Sequence, residues 1–329
     1  DWVKVLKISN SLKNNFVKKE VYGMVLWPLI KEDWYQSFVG KALMNNCWNL
    51  NLFVEVFKFL PKQEKGFYLQ ENMDWEYAYL WAWKKAGNKL NIGVPHSSVR
   101  FWDLRYFFDK RSYIKNKKSS FPFPDKIAVN GMAIYNNLIE GGCPENFLIK
   151  TESLRYNHIK KFLKQKQKIK QNHRKKKKIL VLGDSQADDT NQLLYTLKKA
   201  IKSSKINMEI LVKPHPLFSI DKNKFPEFRI ITDDLMKLFQ KVDFVYCGSQ
   251  TSAVIEACLC GLNVIQLINK NTLNLSPLRN SPSVNFVSSY KELVAHILKS
   301  ENNNSYKLHE NFFFLDNNLP KWKNILLNK

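Results

Sequence analysis

The sequence lacks the features that mark several common classes of protein. It has no run of about 18 apolar residues, so no transmembrane helix is predicted. It has neither a G-x-G-x-x-G motif after a predicted strand nor a Walker loop, which argues against dehydrogenases and ATPases. The first residues, Asp1-Trp2-Val3-Lys4, include no initiator methionine and no apolar signal segment. We therefore expect the chain to be a fragment that begins inside a longer protein.

Cysteine is scarce and odd in number. The five cysteines are Cys47, Cys143, Cys247, Cys258 and Cys260. Three of them fall on predicted core elements, and the Cys-x-Cys pair lies in a predicted helix without a second pair of ligands. This pattern predicts reduced, buried cysteines of a cytosolic protein and gives no indication of a zinc site.

Basic residues are abundant. The 329 residues include 52 Lys and Arg against 29 Asp and Glu, a formal net charge of +23. Such an excess suits anionic partners, namely phosphorylated substrates, anionic lipid headgroups or nucleic acid, but it also fits a Lys-rich solvated surface. Hydrophobic residues make up 44% of the chain, which predicts a globular protein of two domains.

Three strand-loop-helix units are predicted in the first half of the chain. The strands are residues 66–69, 90–94 and 127–129, and each delivers polar residues to its carboxyl end. Successive units of this kind predict a parallel sheet built by right-handed crossovers. We assign residues 1–155 to an N-terminal Rossmann-like domain on the acceptor side, possibly truncated at its start.

Residues 156–178 are predicted to be a basic linker that ends in the charge run Arg174 to Lys178. The run is read either as a contact with anionic lipid or as a solvated linker. Residues 179–300 show a doubly wound pattern and are predicted to be a second Rossmann-like domain. We expect residues 301–329 to cross back to the first domain.

Two polar loops in the second domain follow buried strands. The strand 210–212 runs into Lys213-Pro214-His215-Pro216, and the strand 244–247 breaks at Gly248 into Ser249-Gln250-Thr251-Ser252, which opens a helix. Free N–H groups at a helix start attract anions, and ligands of parallel sheets bind at the carboxyl ends of strands. Both loops are therefore candidate ligand-binding elements.

This arrangement resembles the nucleotide-sugar-binding half of GT-B glycosyltransferases, which have two Rossmann-like domains with a cleft between them. Lys-Pro-His-Pro, a later Ser/Thr-rich turn, a helix with Glu256 and Gly-x-x-Val-Ile are similar to bacterial sialyltransferases, Kdo transferases and capsule-polymer transferases. In these families the histidine and the helix start hold the phosphate of a CMP-sugar or related donor. The alternative is an ordinary crossover with a solvated histidine and a routine N-cap.

Three stretches of the first half resemble bacterial surface-carbohydrate enzymes, nearest to the retaining β-Kdo transferases of family 99. They are Glu-Asn-x-x-Trp-Glu from Glu71, Gly-x-Pro-His-Ser-x-x-Arg-Phe-Trp-Asp-Leu-Arg from Gly93, and Pro-Asp-Lys-Ile-Ala-Val-Asn-Gly from Pro124. The resemblance covers roughly residues 66–290. No Asp-x-Asp motif stands at a strand end, and the pairs Asp188-Asp189 and Asp233-Asp234 are expected to cap helices. We therefore expect no metal and no cofactor beyond the nucleotide-sugar donor.

The candidate residues fall into three groups. The catalytic candidates are Asp184, Glu71 and Glu76; the donor-binding candidates are Lys213, His215, Ser249, Thr251, Ser252 and Glu256; the substrate-binding candidates are His96 and Arg100. The backbone N–H groups, Lys and His would neutralise the phosphate, and the carboxylates would face the reacting sugar. Glu71 and Glu76 also suit the start of a helix on electrostatic grounds alone.

The sequence thus predicts a metal-independent enzyme that transfers a sugar acid, Kdo, from a CMP-activated donor to a lipopolysaccharide or capsule acceptor. Retention by double displacement is the mechanism that the resemblance implies. Alternatives on the same fold are a sialyltransferase, a CDP-glycerol-type transferase and a UDP-sugar 2-epimerase. The non-enzyme alternative is a basic nucleic-acid-binding protein, but no reading motif supports a nucleic-acid partner. We expect a cytoplasmic protein that contacts a lipid-linked or oligosaccharide acceptor and the anionic inner membrane.

Overall fold

A computed structural model describes residues 2–113, 121–166, 176–204, 206–269, 271–299 and 311–327. The protein is mixed α/β, as predicted, and divides into two compact units. Unit 1 contains Asp1–Val94, Phe108–Ala128 and Cys143–Leu148. Unit 2 contains Pro95–Phe107, Val129–Gly142 and Ile149–Lys329. The proposed boundaries at 155, 178 and 300 stay a prediction.

The N-terminal part of unit 1 is helical. Its elements are α1 (Trp2–Val17), the hairpin β1 (Glu20–Val21) and β2 (Met24–Val25), α2 (Trp27–Phe38) and α3 (Lys41–Phe59). Trp34 of α2 is buried, and its indole N–H donates to Ser9 Oγ of α1 at 3.1 Å. The sequence indicated helix only around 33–40 and 50–57, so α1 and the hairpin were not predicted.

The first sheet contains β3 (Lys65–Leu69), β4 (Leu90–Val94), β5 (Lys126–Val129) and β6 (Leu148–Lys150), in that order. The pairs β3–β4 and β4–β5 are parallel. α4 (Asp74–Lys85) follows β3, and α5 (Met132–Glu140) follows β5. The three predicted strands are confirmed, but the second unit differs from the prediction, because among the described residues only the short 3₁₀ turns Leu104–Tyr106 and Lys110–Tyr113 follow β4 before β5. The strand β6 was not predicted.

The second sheet lies in unit 2 and has six parallel strands. Its strands are β7 (Lys177–Leu182), β8 (Met208–Lys213), β9 (Arg229–Ile230), β10 (Phe244–Gly248), β11 (Asn263–Leu267) and β12 (Val284–Val287). Its helices are α6 (His158–Lys166), α7 (Ala187–Ser204), α8 (Leu235–Phe239), α9 (Ala253–Leu259) and α10 (Tyr290–Lys299). The doubly wound pattern is confirmed, although β12 falls partly in a stretch that the sequence indicated as a polar loop.

The central strands of this sheet are apolar on both faces. Leu180 and Val245 belong to one hydrophobic layer, whereas their neighbours Val181 and Tyr246 belong to the other. Successive side chains of a strand point to opposite faces, so each strand contributes to both layers. Such burial on both sides explains why these segments read as continuous apolar runs.

Strand order reverses within the second sheet. The order is β12-β11-β10-β7-β8-β9, so the chain builds outward from β7 on one side and from β10 on the other. The neighbours β7 and β10 therefore form the switch point of the sheet. In open α/β sheets the crevice outside the carboxyl ends of the strands at this point is where ligands bind.

Residues 311–327 form a C-terminal segment that pairs with earlier parts of unit 2 and ends in α11 (Pro320–Leu327). Met132 N–H donates to Asn311 O at 2.9 Å, and Phe314 N–H donates to Asn130 O at 2.8 Å. A β-carbon on Gly131 would collide with the Phe312 carbonyl, so this close approach requires glycine.

The basic run enters the sheet. β7 begins at Lys177, two residues before the predicted strand, and Lys178 Nζ lies 2.7 Å from Glu209 Oε2. Lys177 and Lys178 are therefore strand residues, whereas Arg174 and Lys175 lie outside the described residues. No helix in the described part of the chain is both long and apolar enough to span a bilayer.

Candidate functional site

The loops that follow β7 and β8 touch each other. Gly183 N–H donates to Lys213 O at 2.9 Å, which extends the pairing of the two strands by one residue. A β-carbon on Gly183 would lie 2.9 Å from the backbone nitrogen of His215. The glycine therefore permits this close backbone approach.

Asp184 is held against the end of β10. Its side chain is almost fully buried, and its backbone N–H donates to Thr190 Oγ1 at 2.9 Å. Its Oδ1 accepts from the backbone N–H and the hydroxyl of Ser185, at 2.6 and 3.2 Å. A β-carbon on Gly248 would lie 2.6 Å from Asp184 Oδ2, so the carboxylate sits directly over the last residue of β10.

A pocket of about 160 Å³ opens beside this carboxylate, at the switch point of the sheet. We call it the switch-point pocket. Its lining residues come from the β7 loop and the first two turns of α7 (Asp184, Asp189, Gln192, Leu193), from the end of β10 and the turn after it (Gly248, Ser249, Gln250) and from the end of β11 and the chain after it (Leu267, Asn269, Thr272, Leu273, Leu275). Carboxylate, amide and hydroxyl groups thus share a small cavity with leucine side chains.

The acidic character of the pocket affects Asp189. Burial raises the pKa of this carboxyl group, and the nearby charges of Asp184 and Asp188 raise it further. Asp188 and Asp189 lie inside the first turn of α7, after Ala187, and not at the N-cap position, which corrects the expectation that this pair caps the helix. Paired acceptors of this kind suit ligands with hydroxyl or amino hydrogens.

A buried chain of hydrogen bonds supports the end of β10. Gln266 Nε2 donates to Gly248 O at 2.7 Å, and Ser276 Oγ donates to Gln266 Oε1 at 2.6 Å. Leu278 N–H then donates to Ser276 Oγ at 3.0 Å. Neither Gln266 nor Ser276 was predicted as a site residue, although a polar residue in the interior of the apolar strand 263–267 was a signal for the former.

The turn after β10 differs in detail from the predicted N-cap. Ala253 N–H donates to Thr251 Oγ1 at 3.4 Å, whereas the side chain of Ser252 makes no capping hydrogen bond. α9 itself is only seven residues long, so its macrodipole adds little. Of the predicted donor-binding residues in this turn, Ser249 is the one that lines the switch-point pocket.

Arg100 reaches this turn from the loop of residues 95–107. Its Nη2 donates to Gln250 O at 2.5 Å, and the two residues are 150 positions apart in the sequence. The structure therefore brings a predicted substrate-binding residue to a predicted donor-binding turn within unit 2. His96, in the same loop, is half-buried.

Lys213 and His215 have contacts of their own. Lys213 Nζ donates to the carbonyl oxygens of Asp233 and Thr232, at 2.7 and 3.3 Å. His215 Nδ1 accepts from Leu217 N–H at 3.3 Å, which assigns the hydrogen of the neutral ring to Nε2. His215 thus has one ring nitrogen committed to its own turn and one N–H donor for a ligand.

Glu256 is a largely buried carboxylate and not a surface residue of α9. Its side chain is 16% exposed, and its Oε1 lies 3.8 Å from His158 Nε2. Burial raises the pKa of Glu256, while His158 and Arg155 act in the opposite direction. Asp234, from the other acidic pair, caps α8 by accepting from Met236 N–H and Lys237 N–H, as predicted.

The two carboxylates of unit 1 differ in their surroundings. Glu76 is buried and accepts from three backbone N–H groups, those of Glu71, Asn72 and Met73, at 2.9 to 3.2 Å. It therefore closes the turn before α4 and serves as the glutamate of a capping box. Burial raises its pKa in spite of these bonds. Glu71 is partly exposed at the same strand end.

Comparisons with known proteins establish the fold. No family model and no curated protein matches the sequence. A UDP-GlcNAc 2-epimerase from Neisseria meningitidis, solved with UDP-GlcNAc bound, is 12% identical with a TM-score of 0.52 over 99% of this chain and 96% of that chain. S. aureus MnaA, solved with UDP, is 10% identical with a TM-score of 0.52 over 98% and 92%. The predicted GT-B class of two Rossmann-like domains is confirmed, and the likeness to Kdo transferases stays a prediction.

Proposed function

We propose that this chain is an enzyme that binds a nucleotide-activated sugar at the switch-point pocket and transfers the sugar to a polysaccharide acceptor. The observation that carries the proposal is the position of the pocket. It lies where the strand order reverses, and its walls come from the loops after β7, β10 and β11. That is the place where doubly wound sheets bind nucleotides.

The chemistry of the surrounding groups suits such a donor. Carboxylate and amide oxygens of Asp184, Asp189 and Asn269 accept hydrogen bonds from sugar or ribose hydroxyl groups. Arg100 brings a guanidinium to the turn at Gln250, and His215 offers Nε2–H. These cationic and N–H donors would stabilise the charge that develops on the phosphate as the nucleotide leaves.

We infer a CMP-activated sugar acid, Kdo, as the donor from the sequence resemblance of both halves. The acceptor would be a lipid-linked or oligosaccharide chain of a bacterial surface polysaccharide, reached at the cytoplasmic face of the inner membrane. No metal is required, because Arg100 and the backbone N–H groups of the turn 248–252 supply the positive charge. Lys176 and the preceding basic residues would contact anionic lipid.

For the chemical step we propose Asp184 as the nucleophile. Its carboxylate oxygen attacks the anomeric carbon, and CMP departs with the bonding electron pair. The acceptor hydroxyl, deprotonated by a general base, then displaces the carboxylate and restores the configuration. Mass spectrometry after incubation with CMP-Kdo alone should show one added Kdo on Asp184. An adduct on another carboxylate would assign the role of nucleophile to that residue, and a product with inverted configuration would contradict double displacement.

A UDP-sugar 2-epimerase is the second candidate. The observation that favours it is the fold match, because this chain covers 96% and 92% of two structures that hold UDP-GlcNAc and UDP. Such an enzyme would use the same pocket for the nucleotide. It would change the configuration of the sugar and pass it to no acceptor.

A nucleotide panel separates the candidates. CMP, CTP, UDP and UDP-GlcNAc are compared by thermal shift and calorimetry with the wild type, Asp184→Asn and the control Asp188→Asn, an exposed residue of the same helix start. Ligand at a hundredfold excess over Kd stabilises by about 2.7 kcal/mol. Preference for CMP supports the transferase, preference for UDP or UDP-GlcNAc supports the epimerase, and no stabilisation by any of them contradicts both.

A further inference from the structure

Two large aromatic side chains lie exposed beside Arg100 in unit 2. Phe101 is 53% exposed and Trp102 is 36% exposed. Their rings meet edge to face, with centroids 4.9 Å apart and an angle of 89° between the planes. The fixed geometry presents ring surface to solvent from a loop that also reaches the turn after β10.

Arg279 packs on this pair of rings. Its guanidinium carbon lies 4.3 Å from the ring centroid of Phe101 and 5.4 Å from that of Trp102. Arg279 follows the pocket-lining residue Leu275 by four positions. Arg100 thus links the loop 95–107 to the pocket-lining residue Gln250, and Arg279 links the same loop to the chain that follows Leu275.

Asp103 is the acidic residue next to Trp102 in the sequence, and it does not offset the positive charge of Arg100 and Arg279. Asp103 accepts two hydrogen bonds from Arg105, at 2.8 and 2.9 Å, and its carboxylate is therefore engaged. The surface thus combines exposed aromatic rings with a planar guanidinium at the edge of a pocket that suits a nucleotide.

A sugar acid is the ligand class that matches this combination. The C–H face of a pyranose ring packs on aromatic rings, and its carboxylate accepts two parallel hydrogen bonds from a guanidinium. A neutral sugar uses only the rings, and a simple anion uses only the arginine. We propose that Phe101, Trp102 and Arg279 form a binding subsite for an anionic sugar next to the switch-point pocket. This inference rests on the proposed function and assigns the sugar part of the substrate.

The test measures saccharide binding separately from nucleotide binding. The probes are the methyl glycoside of Kdo, methyl glucoside as the neutral sugar and acetate as the simple anion. Binding of each probe to the protein is measured by NMR titration. Trp102→Ala should weaken binding of the Kdo glycoside about tenfold, and Arg279→Gln about ten- to a hundredfold. Both variants should retain the nucleotide affinity of the wild type.

The chain supplies a matched control. Trp81 in α4 is 42% exposed, and Lys85 Nζ lies 4.6 Å from its ring centroid, so this pair is also a cation on an exposed aromatic ring. Trp81→Ala and Lys85→Gln should leave saccharide binding unchanged. If Trp102→Ala does not fold, the conservative Trp102→Phe and the polar Arg279→Gln carry the test.

The outcomes are distinct for the two proposals. Equal binding of the glucoside and the Kdo glycoside, unchanged binding by the Trp102 and Arg279 variants, or no binding by the wild type overturns the subsite. Failure of the wild type to bind any nucleotide of the panel overturns the proposed function instead. If the wild type binds the Kdo glycoside but no nucleotide, the result supports the subsite and contradicts the proposed function.

Discussion

A β-carbon on Gly248 would lie 2.6 Å from Asp184 Oδ2, well inside the contact distance of the two atoms. The last residue of β10 is therefore glycine for reasons of space, and its own φ lies outside the left-handed region. Since β7 and β10 are neighbours at the switch point, this single missing atom determines how deeply the Asp184 carboxylate can sit. The relationship makes Gly248 as important for the pocket as the residues that carry charge.

Gly248→Ala should displace Asp184 and reduce both stability and nucleotide affinity. Overpacking of this kind costs about 1–3 kcal/mol. Removal of the carboxylate should relieve the clash, so Gly248→Ala should cost less in an Asp184→Ala background. Denaturant unfolding of the four proteins of this double-mutant cycle gives the coupling energy, expected at about 0.5–3 kcal/mol. Additive effects would show that the two residues do not share the space.

Ser276→Ala should destabilise unit 2 through its buried hydrogen bonds. The change leaves Gln266 Oε1 without its donor and Leu278 N–H without its acceptor, at a cost of about 1–3 kcal/mol. Nucleotide affinity should also fall, because Gln266 supports Gly248 O. The control is Ser203→Ala at an exposed position of α7, which should stay within about 0.5 kcal/mol of the wild type. Equal behaviour of the two variants would contradict the structural role of the network.

Glu256→Gln should change the pH dependence of stability. Since burial raises the pKa of Glu256, the folded state binds this proton more tightly than the unfolded state does. The wild type therefore loses stability as pH rises from about 4 through the raised pKa, by about 1.4 kcal/mol for each pKa unit of the shift. The variant does not titrate there, so its stability relative to the wild type should increase over this interval.

The measurement is denaturant unfolding between pH 4 and pH 7 without ligand. Glu140→Gln, at the exposed end of α5, serves as the control for removal of one negative charge. A constant difference between Glu256→Gln and the wild type across the interval would show that burial does not destabilise the charged form.

The role of His215 in nucleotide binding can be tested by substitution with two amide side chains, each of which imitates a different ring nitrogen. Asparagine places an acceptor near the position of Nδ1, whereas glutamine places a donor near that of Nε2. If Nε2–H contacts the donor phosphate, His215→Asn should weaken nucleotide binding about ten- to a hundredfold, and His215→Gln should retain most of it. Calorimetry with the preferred nucleotide measures both, and unchanged binding by His215→Asn would remove His215 from the site.

Sequence patterns were sufficient for the central architecture. The apolar runs of β7, β8, β10 and β11 and the polar residues after them predicted parallel strands with ligand-binding loops at one edge. Among the strands that were missed, Val284–Val287 of the second sheet is only four residues long and follows two prolines. The first 60 residues were difficult because α1 mixes Lys and Asn with its apolar positions.

The contacts that shape the site could not be predicted from sequence patterns. The hydrogen bond from Gln266 to Gly248 depends on strand register, and the packing of Arg279 on Phe101 joins residues 178 positions apart. The helix start at Ser252 was predicted correctly, yet the capping oxygen comes from Thr251. Local propensity indicates that a turn needs an acceptor, whereas the tertiary fold decides which hydroxyl group supplies it.

The segment of residues 311–327 completes hydrogen bonds that earlier parts of unit 2 need. Glu152 is buried, and its carboxylate accepts from Lys321 N–H and Trp322 N–H at 3.0 and 3.1 Å. Until residues 311–327 have left the ribosome, this carboxylate and the backbone groups of Asn130 and Ser153 lack their partners. The nascent chain must therefore keep an incomplete unit 2 soluble until this segment has emerged, and a chain cut short before residue 321 would hold a buried carboxylate without these two donors.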